Sequence, residues 1–176
     1  MNHFFIKPEN IRDDKIKITG SDVNHIKNVL RIRTGESLLL SDGKSNDYFC
    51  SVESVNDNEI ICSILSSEVS GTEPSVKFYL FQGLPKADKM EHIIQKSVEL
   101  GVFKIIPVQT ARSIVKYDEK KSNNKKERWQ KIAESAAKQS RRGIIPEVEM
   151  ITGFKDAVKK AAERPKNAAM KVESSA

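Results

Sequence analysis

Residues 76–108 read VKFYLFQGLPKADKMEHIIQKSVELGVFKIIPV, and this stretch decides the fold class. It opens on Val76 to Phe81, a nearly continuous apolar run of the kind buried on both faces of a parallel sheet. Between Lys86 and Leu100, Met90, Ile93, Ile94 and Val98 recur at helical spacing, and Gly101 stands where helices commonly end in a left-handed residue. Val102 to Val108 is a second apolar run. Strand, helix and strand predict one βαβ unit with a right-handed crossover.

The pattern continues towards the C-terminus. Asp118 to Lys126 is a polar stretch leading into a second helix, with Trp129, Ile132, Ala133, Ala136 and Ala137 on one face and Pro146 closing it. Val148 to Ile151 predicts a third strand and Phe154 to Ala162 a third helix. Glu163 to Ala176 has little to bury and is expected to fray. About three strands make a short parallel sheet, so this half reads as the opening of an α/β domain.

Before residue 70 the period is that of strands. Phe4 and Ile6 alternate with polar neighbours, as do Ile16 and Ile18; Ser37–Ser41, Tyr48–Val55 and Glu59–Leu65 follow, rich in β-branched and aromatic residues. Asp42-Gly43 and Asn56-Asp57-Asn58 carry turn chemistry. One short helix interrupts, capped by Ser21, with Val23, Ile26, Val29 and Leu30 as its apolar stripe. A small β-barrel with one helix fits this pattern. Ser66 to Pro74 reads as a linker, which sets domains at 1–70 and 74–176.

Composition excludes several classes. The chain has 176 residues, 38% of them hydrophobic and 31% charged, with a mean hydropathy of −0.49. It lacks an apolar run long enough to span a bilayer, and Met1 to Pro8 shows no signal peptide, so a cytoplasmic protein is expected. Cys50 and Cys62 match no CxxC spacing, which suits a reducing compartment; His3, His25 and His92 are scattered, so no metal site is expected. No two of the eight glycines share one short loop, which removes the glycine-rich phosphate loops.

The net charge of +6 is unevenly spread. Residues 1–72 hold 8 basic against 11 acidic side chains, residues 73–176 hold 22 against 13, and Arg112 to Arg142 alone holds 11 against 4. Such a block is either a phosphate-binding surface or a solvated helix face. The first half is no basic clamp, so phosphate contact there needs a local patch of Lys27, Arg31 and Arg33. Lys86 and Lys89 follow the first apolar run, on the side where open α/β sheets take ligands; phosphate contact and solvation of a helix start are both open readings. His25 reads as packing, Trp129 as a core anchor, and Glu99, unfavourably placed near a helix end, as a partner in an ion pair.

Specific residues carry a resemblance. They are His3-Phe4-Phe5, His25, Val29-Leu30-Arg31, Gly35 and Asp42-Gly43, then Lys89-Met90-Glu91 and the run Gln95 to Val102. Pro107, Thr110, Arg112-Ser113, Arg128-Trp129, Ile132-Ala133, Gln139, Arg142 and Ile145-Pro146 follow in order. On these, residues 1–162 resemble the RsmE family of the SPOUT (trefoil-knot) superfamily, which methylates uridine N3 in 16S ribosomal RNA of the small subunit. The resemblance implies an α+β two-domain fold: a PUA-like, OB-related barrel, then the first half of a SPOUT methyltransferase domain. It also implies S-adenosyl-L-methionine as cofactor, 16S ribosomal RNA or the small subunit as partner, and a homodimer without membrane or metal.

By the same resemblance Arg112, Gln139 and Arg142 are catalytic candidates. Loss of the N3 proton leaves an anion that a planar guanidinium can stabilise. Two departures stand out. Ala111 occupies a position that is usually glutamate in the family, and the Gly-Pro-Glu-Gly-Gly loop and Leu-Gly/Arg-Ile-Leu-Arg segment that bind cofactor do not occur before Ala176. The expectation is therefore a methyltransferase that is truncated, with its knot region and cofactor-binding residues missing. An inactive RNA-binding fragment and a non-enzymatic interaction fragment are the alternatives.

Overall fold

The computed structural model describes residues 2–86, 89–111, 113, 118–163 and, as strand backbone, 168–173. The chain forms two units: Met1–Glu73 with Arg141–Ile144, and Pro74–Ser140 with Ile145–Ala176.

The first unit is a six-stranded sheet made of β1 (Asn2–Phe5), β2 (Ile11–Arg12), β3 (Lys15–Thr19), β4 (Ser37–Ser41), β5 (Asn46–Val55) and β6 (Glu59–Val69). Its order is β1-β4-β5-β6-β3-β2, antiparallel except where β1 joins β4. Alternation along the strands places Phe4, Ile16, Ile18, Leu38, Leu40, Cys50, Val52, Ile60 and Cys62 in one core. One core fed by strands from both ends of the sheet means the sheet wraps round it, and two register shifts between β5 and β6 supply bends. The parallel β1–β4 pairing is pinned by His3 Nε2 against Ser41 Oγ at 2.7 Å, and Ser41 donates in turn to Asp47.

Helix α1 (Ser21–Asn24) widens into a π turn over His25–Val29, with Leu30 N–H donating to the His25 carbonyl at 2.9 Å. The wider turn breaks the expected stripe. Val23 and Ile26 are buried and Leu30 packs against them, but Val29 is turned out and 65% exposed. His25 packs edge-on to Phe4, as packing residues do.

Ser66–Val69 is not a linker. These residues are the end of β6, paired to Phe49–Asn46. Their side chains are exposed, so no apolar pattern marks them, and main-chain pairing alone holds them in the sheet. Nor was the return of Arg141–Ile144 to this unit visible: Ile144 bridges Lys44, and Ser45 N–H donates to the Gly143 carbonyl at 3.2 Å.

The second unit contains β7 (Lys77–Gly83), α2 (Lys89–Glu99), β8 (Val102–Gln109), α3 (Glu119–Gln139), β9 (Glu147–Val148), β10 (Thr152–Gly153), α4 (Phe154–Ala162) and β11 (Ala168–Glu173). All five strands are parallel, in the order β10-β8-β7-β11 with β9 also on β8. The expected third strand is split into β9 and β10. The expected fraying after Glu163 is overturned at Ala168–Glu173, which pairs with Lys77–Gln82. In the sequence the strand shows only a short alternation, Met170 and Val172 against Lys171 and Glu173, after the two alanines.

The polar stretch before the second helix is also corrected: Asp118 caps α3, accepting from Lys121 N–H at 2.7 Å, and residues 119–126 are its first turns. The helix stops at Gln139, well before Pro146. Its buried face is Ser122, Trp129, Ala133, Ala136 and Ala137. Gly101 at φ +91 closes α2, and a Cβ there would stand 2.6 Å from Pro74 Cγ.

Lys104 of β8 reaches Glu147 at 2.6 Å and Glu149 at 3.4 Å, and Lys160 of α4 reaches Glu149 at 2.6 Å. Burial alone would raise the Glu149 carboxyl, but the two ammonium groups hold it below its ordinary 4.5. A depressed carboxylate contributes stability above its unfolded value that is lost as pH falls through the folded one. The second unit is therefore expected to lose stability from about pH 4.5 downwards, and Glu149→Gln to flatten that slope. Urea unfolding followed by Trp129 emission across this range checks it.

Candidate functional site

Parallel strands place all their carboxyl ends on one edge, where open α/β sheets bind ligands. Strand β7 is the point at which the chain changes direction: β8 lies on one side and β11 on the other. The segment leaving β7 is Gly83 to Lys86, held to the sheet by Leu84 N–H on the Val108 carbonyl at 3.0 Å. The segment leaving β8 is turned by Ser113, whose Oγ accepts from Thr110 N–H at 2.9 Å and lies 3.3 Å from Thr110 Oγ1.

Gln82 sits at this edge, one residue from the end of β7, and is 2% exposed. Its Nε2 donates to the Gly83 carbonyl at 2.9 Å, while its Oε1 has no hydrogen-bond partner among the described residues. A buried acceptor left without a donor costs about 1–3 kcal/mol, so a folded chain keeps one where a donor can arrive from outside. The signal in the sequence was a lone amide at the end of the apolar run Phe-Tyr-Leu-Phe, which the periodicity reading passed over.

The candidate residues fall in different places. Lys86 and Lys89 are exposed on the carboxyl edge of the sheet. Arg112 lies outside the described residues. Gln139 is exposed at the last position of α3. Since α3 leaves the carboxyl end of β8 and returns the chain to the start of another parallel strand, Gln139 stands at the amino edge, away from Lys86 and Lys89.

Four further candidates belong to the first unit. Lys27 is ion-paired to Asp57; Arg31, at φ +54, and Arg33 are exposed on the loop after the π turn. Arg142 is only 4% exposed. Its guanidinium grips Glu73 through Nε at 3.2 Å and Nη2 at 2.5 Å, and Glu73 Oε1 also accepts from Gly143 N–H at 3.0 Å and Ile144 N–H at 3.2 Å. The arrangement is that of a group anchoring the returning segment. Glu73 was not singled out in the sequence, because nothing local marks a partner 69 residues away. Glu99 is ion-paired within its own helix, to Lys96 at 2.7 Å. Among the described residues no group of three or more His, Cys, Asp or Glu side chains could hold a metal ion. No helix among them is long and apolar enough to cross a membrane.

The fold and its carboxyl edge define an RNA methyltransferase domain joined to a PUA domain: residues 72–175 match the RNA methyltransferase domain family and residues 18–65 the RNA methyltransferase PUA domain. Ribosomal RNA small subunit methyltransferase E of Bacillus subtilis is 42% identical over 137 residues, which is 78% of this chain and 54% of that protein. The Aquifex aeolicus relative of the same name is 30% identical over 163 residues, covering 92% and 68%. A crystal structure of the Neisseria gonorrhoeae methyltransferase of that name, bound to S-adenosyl methionine, matches with a TM-score of 0.81 at 29% identity, over 98% of this chain and 78% of that one. The chain belongs to the ribosomal RNA small subunit methyltransferase E (RsmE) family. It spans about half the length of the first curated relatives it matches, 54% and 50%.

Proposed function

We propose that the chain belongs to an S-adenosylmethionine-dependent methyltransferase acting on N3 of a uridine in 16S ribosomal RNA of the small subunit. The observation that carries this reading is the pairing, in one chain, of the RNA methyltransferase domain with its PUA domain. The proposed domains are 1–70 for RNA holding and 74–176 for the methyltransferase part; the proposed setting is a cytoplasmic homodimer.

S-adenosylmethionine supplies an electrophilic methyl group on a sulfonium sulfur. It also carries amino and hydroxyl donors, which fit the unpartnered Gln82 Oε1; Gln82 is the residue of this edge that would hold it. The protein's task is to let the N3 proton leave and to stabilise the anion in the base. Arg112 is proposed for that charge, and Lys86 and Lys89 for the phosphates beside the target. Lys27, Arg31 and Arg33 are proposed to touch RNA from the first unit. Gln139 and Arg142 are proposed as positioning residues, in keeping with an exposed helix end and a buried ion pair.

The test is calorimetric titration of the 176-residue chain with S-adenosylmethionine, followed by labelled methyl transfer to small subunits, with Arg112→Ala as control. Stoichiometric heat, with transfer lost in the variant, supports the reading and overturns the expectation that the cofactor-binding residues are missing. Absence of both would leave the chain as an RNA-holding module.

Gln82→Met keeps the length of the side chain and removes both polar atoms. It deletes an unsatisfied acceptor along with one good hydrogen bond, so stability is expected within about 1 kcal/mol of the parent. S-adenosylmethionine binding is expected to weaken severalfold. Thermal unfolding and the same titration check the pair of outcomes.

A further inference from the structure

We infer that the solvent face of α3 is a phosphate-tracking surface for the RNA that flanks the target base, and that it adds phosphate neutralisation beyond what Lys27, Arg31 and Arg33 of the first unit supply. The inference rests on the proposed action on RNA and adds where the strand runs.

Geometry comes first. At 3.6 residues per turn, Lys120, Lys131 and Lys138 fall within about 20° of one line along the helix, as does Glu127, with Asn124, Glu134 and Ser135 beside it, so the line carries three lysines against one carboxylate. The line spans 18 residues, about 27 Å. The buried residues, Trp129 among them, lie on the opposite face.

The stripe also starts at the right place. Gln130 binds β9 through Val148 N–H at 2.8 Å, and Val148 lies beside Ile105 of β8. Lys120 is ten residues before Gln130, about 15 Å along the helix. Gln109, the end of β8, is four residues beyond Ile105, about 13 Å along the strand. The first turns of α3 therefore reach the level of the carboxyl edge that carries Gln82 and Lys86, and the stripe descends from there.

Charge selects the partner. Lys121, Arg128 and Lys138 are tied to Asp118, Glu91 and Glu134 at 3.4, 2.7 and 3.8 Å. Lys120 and Lys131 are exposed and make no ion pair or hydrogen bond among the described residues. Residues 1–72 carry more acidic than basic side chains, so further phosphate neutralisation has to come from elsewhere. The stripe holds no apolar side chain, which a membrane-surface helix would need, and no aromatic ring on which a base could stack. The lysines, Asn124 and Ser135 suit phosphate and ribose contacts that do not read sequence, and Glu127 removes one charge from the line without reversing its sign.

The test measures binding of a fluorescein-labelled oligouridine to the whole chain against KCl concentration. Three proteins are compared: the parent, Lys120→Gln/Lys131→Gln, and Lys27→Gln/Arg31→Gln/Arg33→Gln. Each lost phosphate contact on a single strand lowers the slope of log K against log salt by about 0.7. The α3 variant is expected to lose about 1.4 of slope and to bind more weakly at every salt concentration, with Trp129 emission unchanged. An unchanged slope in the α3 variant beside a lowered one in the first-unit variant overturns the inference and leaves the proposed function standing. A parent protein without salt-dependent RNA binding overturns both.

Discussion

Glu73→Ala is expected to cost the first unit about 3–5 kcal/mol, the range found when one partner of a buried ion pair is removed. The variant takes from Arg142, which is only 4% exposed, the carboxylate that its Nε and Nη2 grip, and takes away the acceptor that serves Gly143 and Ile144 N–H. Arg142→Ala is expected to cost a comparable amount, because the Glu73 carboxylate is then half-buried without its cation. The double variant Glu73→Leu/Arg142→Met should recover part of the loss, since it leaves no orphaned charge.

Cysteine protection provides the readout. Burial pushes the Cys50 thiol up to about 11 and the Cys62 thiol up to about 12, and both lie in the core of this unit. Neither is reactive near neutral pH until the unit opens. Alkylation across a urea gradient should show the Glu73→Ala midpoint displaced. A shift worth less than about 1 kcal/mol would mean that the pair is not the anchor of the returning segment.

Trp129→Ala is expected to cost the second unit about 3–5 kcal/mol, as large-to-small changes of buried aromatics do. The other fully buried side chains of α3 are one serine and three alanines, so Trp129 carries most of the helix's apolar burial. Trp129→Phe is expected to be mild, within about 1.5 kcal/mol, because an aromatic ring stays and the indole N–H, which has no acceptor among the described residues, is removed. Far-UV circular dichroism during urea unfolding follows both variants. The alanine variant should also lose the salt-dependent part of RNA binding, since the lysine line needs a seated helix. Equal costs for alanine and phenylalanine would show that the helix is held by something other than the ring.

Where local pattern carried the information, sequence and structure agree closely. The apolar runs at Val76–Phe81 and Val102–Val108 became β7 and β8, the helical spacing from Met90 to Val98 became α2, and Phe154–Ala162 became α4 residue for residue. Each element there buries a face whose period is written in its own residues. Of the candidate residues, Lys86 and Lys89 stand at the carboxyl edge of the sheet, where chain order alone puts them. The misses have different causes: Ser66–Val69 extends a strand through exposed side chains that carry no apolar pattern, and in Ala168–Glu173 the alternation is only two residues deep, Met170 and Val172 against Lys171 and Glu173. Val29 left its stripe because a π turn shifted the helical period under it.

The sequence by itself determined the class: two units, a wrapped β sheet and a parallel α/β sheet, with the positive charge gathered in the second half. Only the tertiary structure decided that Arg142 is bound to Glu73, that Gln82 is buried with a free acceptor, and that Lys120 stands level with the carboxyl edge. Periodicity is a property of neighbours in the chain and survives in the sequence. An ion pair across 69 residues, an unmet hydrogen bond and the height of a helix beside a sheet are properties of neighbours in space, which exist only once the backbone has closed on itself.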